Sequence, residues 1–344
     1  MKTKFLPTMI GAILAGGMGV AQADVQVMGH IDTAIVSFDN EATDTDDVNL
    51  KCTTCSVGFK GSEDLGNGLK AIFKLDFQYD TINRNTGKAT GNKASGATAT
   101  DPVLSVSDTS SITDRDQWLG LKGNFGQVRV GTISTGYKSH GAMIDPLYRT
   151  VFQGRDHGLQ SSLHSGAGEE LEGRADNTIR YDSPSFNGLK VVAHYTLDSN
   201  EGDGEDEDPF GIGASYENGG ILVFADYMDN NQSASDEFSA WKVGGKYSMN
   251  NFAVMAQYEQ AEEDSTDPTQ WHVGGSYTMG NNMIYAAFGQ SDDDVAGVDE
   301  RDAWTIAATH SMSKRTMVYA GFNNKELTSD HDEDTFGAGI KHKF

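Results

Sequence analysis

Apolar and polar residues alternate along this chain in one short segment after another, with tight turns and long polar loops taking turns as connectors. Leu69, Ala71, Phe73, Leu75, Phe77 and Tyr79 share one face of such a segment, and Lys70, Lys74, Asp76 and Gln78 the other. Val191, Ala193, Tyr195 and Leu197 oppose Lys190, His194 and Thr196, and the pattern returns from Trp241 to Met249 and from Trp271 to Met279. A period of two marks half-apolar strands and excludes helices. Tight turns fall at residues 64–68, 124–126, 186–188, 218–220, 250–251, 280–282 and 313–315. With a first and a last strand added, the count is about 16 strands, and about 20 residues per strand and connector leaves strands of about 10. An even number of strands, with short turns at one end and long loops at the other, predicts an all-β antiparallel transmembrane barrel.

The two faces support that prediction. The apolar face mixes aliphatic residues with Ala, Gly and aromatics. Tyr79, Tyr195, Tyr216, Tyr227, Tyr247, Tyr258 and Tyr277 stand at segment ends, where amphipathic rings suit the headgroup level of a bilayer. The opposite face carries Lys, Arg, Asp and His, which a water-filled lumen accommodates and a packed core does not. A secreted acidic β-sandwich or a propeller, binding a partner through its loops, remains the alternative of a different class.

Charge and compartment narrow the function. Lys and Arg number 26 against 50 Asp and Glu, a formal net charge of −24, which disfavours nucleic acid as a partner. Lys2 and Lys4, an apolar run from Phe5 to Val20 and Ala21-Gln22-Ala23 read as a secretory signal over residues 1–23, leaving 24–344 as the barrel. Residues 39–49, 198–208, 229–237, 259–268, 292–300 and 325–334 hold 30 of the acids and one lysine, Lys325. Such loops read as a solvated, self-repelling surface or as an electronegative vestibule. Asp292-Asp293-Asp294 and Glu205-Asp206-Glu207-Asp208 lack the spacing and central Gly of an EF-hand, so no metal site follows.

Cys52-Thr53-Thr54-Cys55 is open to three readings: a redox motif, half a metal site, or a local disulfide. Export favours the disulfide, on one condition. Extended strand would hold the two Cα atoms roughly 10 Å apart, so residues 52–55 must turn. No nucleophile elbow, phosphate-cradling loop or convergent acid–base group appears, so neither an enzyme nor a cofactor is expected.

Several stretches closely resemble the general Gram-negative porins. They are Ser56-Val57-Gly58-Phe59-Lys60-Gly61-Ser62-Glu63-Asp64-Leu65-Gly66-Asn67-Gly68-Leu69-Lys70-Ala71, the run from Arg174 to Pro184, Ser313-Lys314-Arg315-Thr316, and the ending Gly339-Ile340-Lys341-His342-Lys343-Phe344. The resemblance implies a 16-stranded barrel in the outer membrane, a homotrimer, a third loop folded into the lumen, and passive diffusion of ions and small hydrophilic solutes. A substrate-selective channel on the same barrel is the nearest alternative. A terminal aromatic such as Phe344 resembles the signal read by the barrel-assembly machinery, for which strand addition at an open edge is the physical route.

By local match, the resemblance puts Asp145 at the loop acid of the constriction, Asp76 at a wall acid, and Arg115 and Arg174 at wall arginines. A third wall arginine is Ser56 here. Lys74, Arg129 and Arg180 face the lumen by alternation. Arg115 shares parity with Leu119 and Leu121, so strict alternation would turn it to lipid, while the cost of a charge there favours the lumen. The third loop lies within residues 133–173 and mixes Asp145, Asp156, Glu169, Glu170 and Glu172 with Lys138, Arg149 and Arg155. Two matched acids against two arginines leave the ring neutral. The acidic mouth then predicts weak cation preference that fades with salt, and Ser56→Arg moves the pore toward anions.

Overall fold

The computed structural model describes residues 24–82, 112–165, 173–197, 208–229, 238–263, 266–328 and 331–344. The export signal, Glu169, Glu170, Glu172 and acidic residues 198–207 lie outside them. The order of strands is β1 (Asp24–Asn40), β2 (Thr45–Cys52), β3 (Ser56–Gly66), β4 (Leu69–Tyr79), β5 (Ile112–Gly123), β6 (Gly126–Ser134), β7 (Arg174–Asp182), β8 (Leu189–Thr196) and β9 (Phe210–Asn218). There follow β10 (Ile221–Asp229), β11 (Phe238–Met249), β12 (Phe252–Glu263), β13 (Thr269–Met279), β14 (Asn282–Asp292), β15 (Arg301–Ser311), β16 (Thr316–Thr328) and β17 (His331–Lys343). Every pairing is antiparallel between neighbours, and β1 pairs with β17, closing one sheet into a barrel. Closure into a single sheet excludes the β-sandwich.

β2 and β3 are two pieces of one barrel strand. β1 pairs with β2 through residues 33–40 and with β3 through residues 24–30. The barrel therefore has 16 staves, one of them broken at residues 53–55. Thr54 turns the chain there with a left-handed φ of 51°. Cys52 and Cys55 are joined by a disulfide, with Cα atoms 5.9 Å apart, so the turn demanded by their spacing is present.

Alternation sorts the side chains. Ile35, Leu119, Val130, Ile212, Val243, Val273, Ile306 and Phe336 stand exposed on the outer wall, where lipid replaces water. Aromatic rings meet in pairs along the loop end: Phe210–Tyr227 at 6.1 Å, Trp241–Tyr258 at 5.4 Å, Trp271–Phe288 at 5.7 Å and Trp304–Phe322 at 5.1 Å. Phe252–Tyr277, at 4.5 Å, lies at the turn end. These rows occupy the headgroup levels. The tight turns use the expected chemistry: Asn187 and Gly188 both take left-handed φ, 53° and 99°, which a two-residue hairpin turn requires.

The apolar core lies inside the lumen. The third loop, L3, runs from residue 135 to 173 and opens with one helical turn, α1 (Gly136–Gly141), capped by the Thr135 side chain. L3 then lays Ile144, Leu147, Val151, Phe152 and Leu159 against the inner wall, where they bury Ala34, Val36, Leu222, Phe224, Met255, Tyr285, Ala287, Ala303, Ala307 and Tyr319. Gly321 on β16 and Gly337 on β17 leave room for the Phe152 ring, and Gly289 on β14 for Leu159. Full burial of a side chain of that size stabilises by about 1.5–3 kcal/mol.

Candidate functional site: the L3 constriction

L3 is tied to the inner wall by polar contacts as well. Tyr137 donates to Glu259 on β12 at 2.9 Å, and the Ser161 hydroxyl donates to the same carboxylate at 2.7 Å. Lys242 on β11 is fully buried, donates to the Tyr137 carbonyl, lies 2.8 Å from His164 Nε2 and sits 4.0 Å from the Tyr137 ring centre. His140 meets Asp226 on β10 at 2.7 Å. Gln270 on β13 donates to the Gly158 carbonyl at 2.7 Å, and Lys341 on β17 to the Tyr148 carbonyl at 2.6 Å. Buried polar groups hold such a loop only when they are paired. L3 thus covers the β10–β17 side and leaves the β3–β7 side facing the remaining lumen.

That open wall gathers three of the four expected constriction residues. Asp76 on β4 and Arg115 on β5 are both buried, with Arg115 Nε 3.4 Å from Asp76 Oδ2, and Arg115 donates to Gln78 at 2.6 Å. Arg174 on β7 lies 3.0 Å from Asp116, and Lys74 reaches the same carboxylate at 2.7 Å. Asp116 also accepts from the Ser134 N–H and hydroxyl, at 3.1 and 2.7 Å. Sequence reasoning missed this hub, although its signal was available. Asp116 shares parity with Trp118 and Lys122 and opposes Leu119 and Leu121.

The conflict over Arg115 is settled by a β-bulge. Leu75 pairs with Gln117 and Phe77 with Asp114, so Arg115 and Asp116 together oppose Asp76. One extra residue shifts the parity of everything beyond it. Arg115 therefore enters the lumen while Leu119 stays outside.

Asp145 does not join the wall groups. Its carboxylate accepts the Leu147 N–H at 2.8 Å and the Gly154 N–H at 3.0 Å, both within L3. Among the described residues it forms no ion pair with Arg115 or Arg174. Burial pushes its carboxyl up to about 6. Lys138 donates to the Ser165 carbonyl at 2.8 Å, and burial with Arg174, Arg155 and Arg115 nearby pushes its ammonium down to about 6. Arg129 and Arg180 oppose each other across β6 and β7 and share Asp182, with Arg180 2.7 Å from it. Arg180 also donates to the Ser134 carbonyl at the root of L3. That pair braces the loop's base.

Two cavities flank L3. One of about 520 Å³ at the loop end is lined by acids that include Asp156, Glu259, Asp292, Asp293, Asp302 and Glu326, with Arg155, Arg301 and Lys325 among them. The other, about 460 Å³, is lined by Lys60, Lys74, Arg149, Lys341 and Lys343, with Asp76 its one acid. A closed barrel narrowed by an inward loop, with charge on the facing wall, has the form of a constricted passage.

The sequence profile of the family described as Gram-negative porin matches residues 11–331. The chain is a Gram-negative porin. It is similar to the major outer membrane protein P.IB of Neisseria meningitidis serogroup A, at 29% identity over 98% of this chain and 99% of that protein. The same-named protein of Neisseria sicca is 27% identical over 98% and 99%. Its alignment with the Neisseria gonorrhoeae protein spans 64% of this chain and 55% of that one. Among solved structures, the anion-selective porin from Comamonas acidovorans superposes with a TM-score of 0.73 over 94% of this chain and 100% of that one, at 19% identity. Salmonella typhi OmpF in complex with daunomycin gives 0.69 over 93% and 97%, at 18% identity. At those identities the likeness concerns the fold. The porin sits in the outer membrane and is a diffusion channel.

Proposed function

We propose that this porin is a homotrimeric, non-specific pore through which ions and small hydrophilic solutes pass down their gradients. The observation that carries this reading is the one-sided docking of L3. The loop is sealed to β10–β17, so solutes pass between L3 and the open wall, beside Asp76, Arg115, Asp116 and Arg174. A charged constriction of this kind filters by size and charge. Solved relatives of the fold include a trimer form of OmpT from Vibrio cholerae.

Residues 1–23 act as the export signal, so the mature chain begins at Asp24. Outer-membrane lipid surrounds the apolar belt. Phe344 serves as the assembly signal: its backbone exchanges two hydrogen bonds with Gly29, both 3.1 Å, at the seam where β17 meets β1. Deleting Phe344 should lower outer-membrane yield much more than it alters single-channel conductance, and normal yield of the truncated protein would overturn this role.

Liposome swelling tests the central reading. Rates for neutral sugars should fall steadily with size and show no saturation, and the unheated protein should run as a trimer in SDS. Saturation by one sugar would instead establish a substrate-selective channel.

A further inference from the structure

Position 56 is where the resemblance places a wall arginine that this chain lacks. Ser56 is buried, and its hydroxyl lies 3.2 Å from His30 Nδ1. A guanidinium from L3 reaches the same histidine and lines the same cavity as Ser56. Arg149 of L3 brings Nη1 to 3.5 Å from the same His30 Nδ1. Its backbone takes a left-handed φ of 63°, which a non-glycine residue rarely adopts, and its N–H donates to the Gln153 side chain at 3.1 Å. The residue before it is pinned by Lys341, whose ammonium binds the Tyr148 carbonyl, and the guanidinium lies 5.5 Å from the Tyr148 ring centre. Several unrelated contacts thus fix Arg149 at the wall.

Its electrostatic standing differs from that of the wall arginines. Arg115 and Arg174 sit against Asp76 and Asp116. Among the described residues Arg149 and Lys341 form no ion pair with a carboxylate, and Arg149 Nε has no hydrogen-bond partner. Both line the 460 Å³ cavity below L3. The sequence count of two acids against two arginines left both out.

We propose that Arg149 is the specificity-determining residue of this pore: the loop supplies the guanidinium that the wall lacks at position 56. With Lys341 it turns permeation toward small anions, inorganic or carboxylate. The inference rests on the diffusion-pore reading above and reverses the cation preference expected from the acidic loops. Geometry decides between the two fields. Arg149 and Lys341 line the cavity that ions cross, within a Debye length of their path, about 8 Å at physiological salt, whereas the acidic spans lie in the loops outside it. The narrowest section also dominates the resistance.

The test is the zero-current potential of the reconstituted full-length porin across a KCl gradient, at low and high salt. The unmodified pore should prefer chloride, and Arg149→Gln should lower the chloride-to-potassium permeability ratio severalfold. Adding Ser56→Arg to that variant should restore the ratio, which a merely structural role for Arg149 would not allow. An unchanged ratio in Arg149→Gln, or failure of Ser56→Arg to restore it, overturns the proposal. Absence of sugar-driven swelling in the unmodified protein would instead overturn the diffusion-pore reading.

Discussion

The two sides of the barrel offer the lumen opposite chemistry on the same alternating strands. From β10 to β17 the inward face carries an apolar patch, with Leu222, Phe224, Ala287, Ala303 and Ala307, beside polar groups such as Asp226, Lys242 and Glu259 that pair with L3, and the loop covers that patch. From β3 to β7 the inward positions are Lys74, Asp76, Arg115, Asp116, Arg129, Arg174 and Arg180, and they face the remaining passage. The difference teaches that a porin's lumen is divided: one side is the core that holds the loop, and the other is the filter. A period of two separates lumen from lipid but does not say what the lumen side touches.

The largest effect expected from that division is at Phe152. Its ring is fully buried between L3 and the wall, 6.3 Å edge-on from Tyr319. Phe152→Ala should cost about 3–5 kcal/mol. L3 should then loosen, with higher, noisier single-channel conductance and a lower temperature for the trimer-to-monomer transition. If both stay unchanged, L3 is not held by this core. Next comes the filter side. Asp116→Asn removes the carboxylate shared by Lys74 and Arg174, so the ratio of anion to cation permeability should rise severalfold while conductance noise stays low. A rise in noise without a change in selectivity would mean that Asp116 belongs to the holding side.

The sequence showed more of the barrel than of the filter, and the reason is physical. Alternation, turn chemistry and end-of-strand tyrosines are local, so 16 staves and an inward Lys74, Arg129 and Arg180 were all legible. For the disulfide reading of Cys52 and Cys55 the sequence set a condition, a turn at residues 52–55, and the structure meets it; that the turn interrupts a barrel stave came from the strand pairing. The inward Arg115 depends on one bulge, which no periodicity carries, whereas Asp116 keeps the parity of Trp118 and Lys122 and was open to a reading by alternation. Asp145 matched a loop acid by its neighbours, yet its carboxylate is spent on the N–H groups of Leu147 and Gly154. That arrangement depends on how L3 coils. Arg149 was visible as a loop cation, but its meeting with His30, 119 residues away in sequence, follows from where L3 docks.

A smaller effect should follow pH, because L3 carries two groups that titrate near the same point. Burial holds the Asp145 carboxyl up at about 6 and the Lys138 ammonium down at about 6. Around pH 7.5 Asp145 is mostly ionised and Lys138 mostly neutral. Around pH 5 Asp145 is mostly neutral and Lys138 mostly charged. Both changes add positive charge to the loop as pH falls, so the zero-current potential should move further toward anions. His164 does not add to this, since burial beside Lys242 keeps its imidazole well below the ordinary value. Asp145→Asn should remove part of the shift. A move toward cations on acidification would show that L3 does not face the permeating ions.

The smallest effect should come from the broken stave. Replacing both cysteines, Cys52→Ser with Cys55→Ser, opens a four-residue ring, whose closure contributes about 2 kcal/mol by chain entropy. The turn keeps other supports: the Thr53 N–H binds the Asp32 carbonyl at 3.2 Å, and the Tyr79 N–H binds the Cys55 carbonyl at 3.0 Å. The thermal transition of the trimer should therefore fall by only a few degrees. Selectivity should hardly change, because Arg149 is placed from the L3 side by Gln153 and by the Lys341–Tyr148 bond. The stave touches that site through Ser56 and through Thr54, whose hydroxyl lies 3.2 Å from His30 Nε2. If the double serine variant shifted the zero-current potential as far as Arg149→Gln, the disulfide-braced turn would be positioning the guanidinium. The filter would then belong to the wall after all.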